Sequence, residues 1–174
     1  MTFSGRPAAN EFGEFFQGYV DKVDSEDVVS FLVEQLHNFQ TVFANTTEEA
    51  ASQLHPPYTW SIKQVIGHLI DGEKIFGYRL HRIAVGDKTA LPGFDHEPYV
   101  DNLDYNDVTL VDLVAEFAAL RQAHLLFMKR LPESAWQQKG TASDADFSVR
   151  GKAFVMAGHV QHHLEIMKKR LENG

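Results

Sequence analysis

Apolar side chains recur every three or four residues through four long segments of this chain, and no other feature narrows its fold as much. A helix with one apolar stripe must bury that stripe against another element, so four of them point to a helical bundle. The first segment has Asp24-Ser25 as its expected cap and places Phe31, Leu32, Gln35, Leu36, Phe39 and Val42 at helical spacing, running to about Phe43. The second opens on Ser61-x-x-Gln64, a capping-box pattern, and aligns Ile62, Val65, Ile66, Leu69, Phe76 and Leu80 before Gly86. Thr109 caps the third, which aligns Leu110, Leu113, Val114, Phe117, Leu120, Leu125 and Met128 and ends at Leu131-Pro132. After a polar connection, the fourth runs from about Ser148 to Leu171 with Val149, Ala153, Val160, Leu164 and Met167 in line. Strand-like alternation is scarce. The expected architecture is all-α: one domain over 1–174, a four-helix bundle over 25–172 and an N-terminal extension over 1–24. That extension holds a short extra helix, read from the amphipathic stretch Glu11 to Val23. Thr46-x-x-Glu49 predicts a further short helix that ends by Pro56-Pro57, and residues 87–108, with Pro92-Gly93 and Pro98, read as a long loop.

Composition then removes whole classes of chemistry. The chain has no Cys, so disulfides, thiolate metal sites, iron–sulfur clusters and a Cys nucleophile are excluded. Acidic residues outnumber basic ones by 24 to 16, a formal charge of −8, which disfavours nucleic acid and anionic lipid as partners. The opening residues Met1 to Pro7 lack a basic and then apolar profile, and no apolar run reaches the length of a membrane span. The expected compartment is the cytoplasm. No Gly-rich phosphate loop and no Gly-x-Ser-x-Gly elbow is present. A di-iron carboxylate bundle needs two Glu-x-x-His motifs, and the chain offers only Glu34-x-x-His37.

Histidine carries the remaining information. His159 and His163, four apart in His159-Val160-Gln161-His162-His163, project from one helix face and can share one metal ion. The spacing is that of a zincin helix, but Val160 stands where that motif needs its Glu base, so metalloprotease chemistry is unsupported. Nine histidines produce such a pair by chance often enough that spacing alone decides nothing. Both rings flank the apolar stripe, whereas His162 points further out. A third ligand must come from another helix, and His68, flanking the stripe beside Val65, Gly72 and Ile75, is the best candidate. The competing reading of His68 is a core histidine hydrogen-bonded to a neighbour.

Trp60-Ser61-Ile62 leading to Gly67-His68-Leu69-Ile70-Asp71-Gly72-Glu73, with Gly158-His159-Val160-Gln161-His162-His163 on the last helix, resembles the DinB/YfiT-like superfamily. Leu91 to Asp95 and Leu131-Pro132-Glu133-Ser134-Ala135-Trp136 share in the likeness. The resemblance implies a four-helix bundle with a divalent metal, zinc or nickel, held by His68, His159 and His163. Three neutral imidazoles leave a position open to water or substrate, the pattern of a catalytic site. Asp71 and Glu73 are candidates to orient a ligand through its second ring nitrogen. Glu73 lies near the middle of the stripe, so the alternative is an ion pair with Arg79 or with an Arg of another helix. Asp95, His96 and Tyr99 are candidates to line the cleft from the long loop.

The same resemblance implies a small-molecule enzyme and a homodimer. Relatives of this kind include transferases of low-molecular-weight thiols and metal-dependent hydrolases. The first expectation is a thiol co-substrate attacking a small electrophile, and the second is hydrolysis by water. A third, from outside enzymology, is a metal- or ligand-binding stress protein without turnover, and a fourth is a vestigial site in a dimerising bundle.

Overall fold

A computed structural model describes residues 5–172, leaving residues 1–4 and 173–174, at the two ends of the expected domain, outside the described part. Four long helices dominate it. After a one-turn helix α1 (Gln17–Val20) come α2 (Val28–Ala44), the short α3 (Glu48–Ser52) and α4 (Ile62–Ala84). Then follow α5 (Glu97–Asn102), α6 (Leu110–Lys129), α7 (Glu133–Trp136), strands β1 (Lys139–Ala142) and β2 (Ala145–Ser148), and α8 (Val149–Glu172). Helix α2 packs against α6 and α8, and α4 packs against the same two, so α2 and α4 stand at opposite corners of the bundle. No described helix is long and apolar enough to cross a membrane.

Local chemistry sets the helix starts. Asp27 accepts from the Val29 and Ser30 amides and begins α2, three residues after the expected Asp24. Thr47, not Thr46, caps α3, because the Thr46 hydroxyl donates back to the Val42 carbonyl at the end of α2. The capping box of Ser61 and Gln64 and the Thr109 cap are present as read from the sequence. Inside the bundle Phe39 stacks on Phe117 at 4.2 Å between ring centroids, with Leu32, Ile66, Leu69, Val160 and Leu164 closing the core.

Three regions depart from the sequence reading. Glu11 to Val23 is not one helix: it forms two 3-10 turns, Ala9–Glu11 and Glu14–Phe16, before α1. The break lets the chain wrap the start of α8, where the Glu11 carboxylate accepts from Ser148 Oγ at 2.6 Å and pairs with Arg150. Residues 87–108 contain α5 and a bridge from Leu91 to Ala142, so they are not loop throughout. The polar connection before α8 holds a β-hairpin pairing Lys139 with Ser148 and Ala142 with Ala145. Its two-residue turn, Ser143-Asp144, has φ of 51° and 58°, the left-handed backbone of the hairpin turn class that matches strand twist.

Helix α1 crosses α8 at Gly158, where an added Cβ would fall inside the contact radius of the Tyr19 carbonyl. Gly158→Val is therefore expected to destabilise the protein by about 2–3 kcal/mol through overpacking, measured by urea denaturation. A loss under half a kcal/mol would show that α1 can lift off α8 at no cost.

Candidate metal centre

The most enclosed stretches of the molecule are the first half of α4 and the first half of α8. Residues 65–73 of α4 and 151–160 of α8 are buried on every side. Each stretch delivers a histidine to the seam between the two helices. His68 Nε2 stands 2.9 Å from His159 Nε2, and one ring nitrogen from each of His68, His159 and His163 lies within 4.8 Å of the other two. Gly72 makes room for this meeting, since a Cβ there would come within 3.3 Å of His159 Cε1. The His163 ring is half-buried and faces the His68 and His159 rings at centroid distances of 4.9 and 4.8 Å.

The donor set fits a divalent ion. Nitrogens bound at about 2.1 Å in a tetrahedron stand about 3.4 Å apart. The observed spacings bracket that value, and no backbone carbonyl of the described residues accepts from the three rings. The competing reading of His68 as a core histidine hydrogen-bonded to a neighbour is met only by His159, itself a candidate ligand. Protonation is suppressed as well. Burial, and then the charge of His96, push His68 down to about 4. Burial, and then His68, push His163 down to about 3, and burial with the neighbouring histidines sends His159 well below its ordinary value. All three are therefore neutral at pH 7, the form that ligates metals.

A pH dependence follows with a definite sign. The folded chain binds fewer protons at these rings than the unfolded chain, whose histidines titrate near 6.5. Stability of the metal-free protein is thus complete above about pH 7 and falls as pH drops from 6.5 toward 3, by up to about 1.4 kcal/mol per pH unit for each ring. Urea midpoints between pH 7.5 and 4.5 check this, and His163→Ala is expected to flatten the slope.

Asp71 and Glu73 do not orient the ligands. The Asp71 carboxylate accepts from the Tyr105 hydroxyl at 2.8 Å, and burial raises its pKa despite that bond. Glu73, five residues past His68 and so turned well away from it, accepts from Arg121 Nη2 at 2.6 Å and Nε at 3.0 Å, with His124 Nδ1 at 3.1 Å. Burial alone would raise the Glu73 pKa, but Arg121 and His124 outweigh it and hold the carboxyl below its usual range. The ion pair with an Arg of another helix is thus the reading the geometry supports, and Arg79 is not its partner. Arg121 also donates to Gln35 Oε1 at 2.8 Å, and Gln35 donates to the Ala157 carbonyl at 2.9 Å. One network thereby ties α2, α4, α6 and α8 together two residues from His159.

The histidines form the floor of a pocket of about 310 Å³ walled by Phe15, Phe16, Tyr19, Trp60, Phe76 and Phe94, with Arg79, His96 and Ser143 on its rim. Of the loop residues considered for the cleft, His96 reaches it, its ring 5.2 Å from His68 and 6.0 Å from Trp60. Asp95 instead caps the Glu97 amide, and Tyr99 packs on Phe94 away from the histidines. Sequence reasoning missed the wall contributed by Phe15, Phe16 and Tyr19. Their density within five residues was the available signal. Glu34 and His37 are exposed on α2, in keeping with the rejection of a di-iron site.

Comparison with known proteins agrees with this arrangement. The sequence profile of the DinB superfamily matches residues 32–167, from within α2 to within α8. The chain belongs to the DinB superfamily. It is 23% identical over 158 residues to "Putative metal-dependent hydrolase OB0413" of Oceanobacillus iheyensis, covering 88% of this chain and 90% of that protein. Its fold is that of YfiT from Bacillus subtilis, described as a probable metal-dependent hydrolase with an unusual four-helix bundle topology. That match has a TM-score of 0.77 at 13% identity and covers 87% of this chain and 89% of the other.

Proposed function

We propose that this DinB-superfamily chain is a metal-dependent enzyme that turns a small nucleophile, in first place a low-molecular-weight thiol, against an apolar electrophile. The observation that carries the reading is the convergence of His68, His159 and His163 at the floor of an aromatic pocket. His68, His159 and His163 would hold the zinc or nickel ion, which would supply Lewis-acid activation of a thiol or water near neutral pH. The three rings bring one nitrogen each to a common point, and Phe16, Trp60, Phe76 and Phe94 offer an apolar seat for the electrophile beside it. No carboxylate of the described residues lines the pocket, so His96 is the side chain placed to take the nucleophile's proton. A thiol is far more acidic than water and needs less help to ionise, which favours sulfur where a carboxylate base is missing. Because the chain has no Cys, the thiol is a co-substrate. Sulfur bonds to the electrophilic carbon while the leaving group departs with its electron pair.

Hydrolysis is the second reading, favoured by the names of both relatives. Assays of zinc- and nickel-loaded protein separate the two. Conjugation of 1-chloro-2,4-dinitrobenzene that needs both the ion and an added thiol is expected. Turnover of p-nitrophenyl esters without any thiol transfers the assignment to hydrolysis. Bound metal with neither activity across both panels overturns the enzyme reading in favour of a binding module.

A further inference from the structure

Two buried basic side chains beside the pocket, Arg79 and Lys152, meet no carboxylate of the described residues. Arg79 is 4% exposed and lines the pocket, yet its one protein acceptor among the described residues is the Pro92 carbonyl at 2.5 Å. Its guanidinium lies over the Phe94 ring at 5.5 Å, so most of its five N–H groups meet no protein acceptor. Lys152 is fully buried, its Nζ makes no hydrogen bond, and it rests over Phe76 at 4.2 Å and Phe147 at 4.4 Å. Of the other buried cations, Arg121 and Lys63 face the carboxylates of Glu73 and Glu48, and Arg170, at the far end of α8, donates to the Trp60 carbonyl and meets His55 Nδ1. Unbalanced buried charge is costly, and it persists where a ligand makes use of it.

Helical arithmetic places these cations with respect to the histidines. Arg79 follows His68 by eleven residues, about 20° away around α4 and about 16 Å along it. Lys152 precedes His159 by seven residues, again about 20° away and about 10 Å along α8. The cation lies C-terminal to the histidine in α4 and N-terminal to it in α8. With His68 against His159, both cations therefore fall at the same end of the seam. Their proximity is felt electrostatically: burial, and then the Arg79 charge, lower the Lys152 pKa well below the usual amine value. Phe76 bridges the two ends, its ring 5.4 Å from that of His159 and 4.2 Å from Lys152 Nζ.

We propose that Arg79, backed by Lys152, is the carboxylate-binding end of this pocket. The molecule that reacts at the histidines then carries a carboxylate roughly 10–16 Å from its reacting atom, the range set by helix rise along α8 and α4, with an apolar segment between along Phe16, Phe76 and Phe94. A planar guanidinium with free N–H pairs matches a carboxylate in two parallel hydrogen bonds. The position of the reacting atom rests on the function proposed above, whereas the carboxylate site itself does not.

Calorimetric titration of the metal-free, full-length protein tests it, because no ion is then present to bind the probe. The probes are 4-phenylbutyrate and 6-mercaptohexanoate, each beside its uncharged amide. Both acids, or one of them, are expected to bind at least about tenfold more tightly than the matching amide. The tighter acid assigns the carboxylate to the electrophile or to the thiol. Arg79→Gln is expected to abolish the preference and Arg79→Lys to retain part of it. Lys152→Met, which removes an amine that makes no hydrogen bond and keeps an apolar stem over Phe76 and Phe147, is expected to fold and to weaken the acids alone. Equal binding of acid and amide to the native protein, no measurable binding of any probe, or a preference that survives Arg79→Gln overturns the proposal. Failure of metal loading leaves this experiment untouched, so the two readings fail separately.

Discussion

His159→Ala is expected to bind zinc or nickel at least 100-fold more weakly than the native chain while keeping its helical circular dichroism. Loss of an outer partner of a metal-bound histidine already costs about 10–100-fold, and His159 is a direct donor that touches both other rings. Folding should survive, because the ring is surrounded by Gly72, Phe76 and Tyr19, which can close on a smaller side chain. Removing a neutral, desolvated imidazole strands no buried charge, so the metal-free variant is expected to lie within about 2 kcal/mol of native stability. Competition against a chromophoric chelator reads the affinity, and urea denaturation of the metal-free forms reads the fold. Native affinity in His159→Ala would move the ion, or the whole idea of one, away from the seam between α4 and α8.

Glu73→Ala has the opposite profile: a large loss of stability without loss of any metal donor. Arg121 is 0% exposed and its charge is answered by Glu73, so truncating the carboxylate leaves a buried guanidinium facing an apolar gap. Breaking such a pair costs about 3–5 kcal/mol. Set against a total of about 5–15 kcal/mol for a domain, that is a drop in Tm of roughly 6–20 °C. The double variant Glu73→Leu with Arg121→Met is expected to recover most of it, because an apolar pair of similar volume has no unmatched charge. Gln35 joins this pair to the Ala157 carbonyl, two residues from His159, so Glu73→Ala should also weaken metal binding by letting α8 shift along α4. A Tm within 2 °C of native in Glu73→Ala would contradict the account of the network.

Legibility in the sequence followed the range of the interaction. Helices α2, α4, α6 and α8 were readable because apolar spacing and the Ser61 and Thr109 caps act within a few residues. The i,i+4 pair His159 and His163 was readable for the same reason. His68 is nominated by its place beside the stripe, but choosing ligand over core histidine needs the family likeness, since nothing local says that α4 faces α8. The partner of Glu73 was narrowed to an arginine, but Arg79 lies six residues on and points about 120° away, so an arginine of α6 took the role. The hairpin was hidden because Ser143-Asp144 adopts a left-handed turn that Asn-Gly would have announced. The N-terminal turns were hidden because their shape is dictated by Ser148 and Arg150, more than a hundred residues away. The sequence marks Arg79 only as a candidate partner for Glu73 and does not single out Lys152, because their burial depends on the packing of α4 on α8.

The central claim is that His68, His159 and His163 jointly hold one divalent ion at the base of the aromatic pocket. X-ray absorption on untagged protein, loaded with one equivalent of zinc and dialysed, tests it most directly. The account predicts retention of one ion per chain with three imidazole nitrogens at about 2.0–2.1 Å and one lighter-atom ligand from outside the protein. Loss of the ion on dialysis, or a coordination shell of oxygen without imidazole scattering, would contradict it.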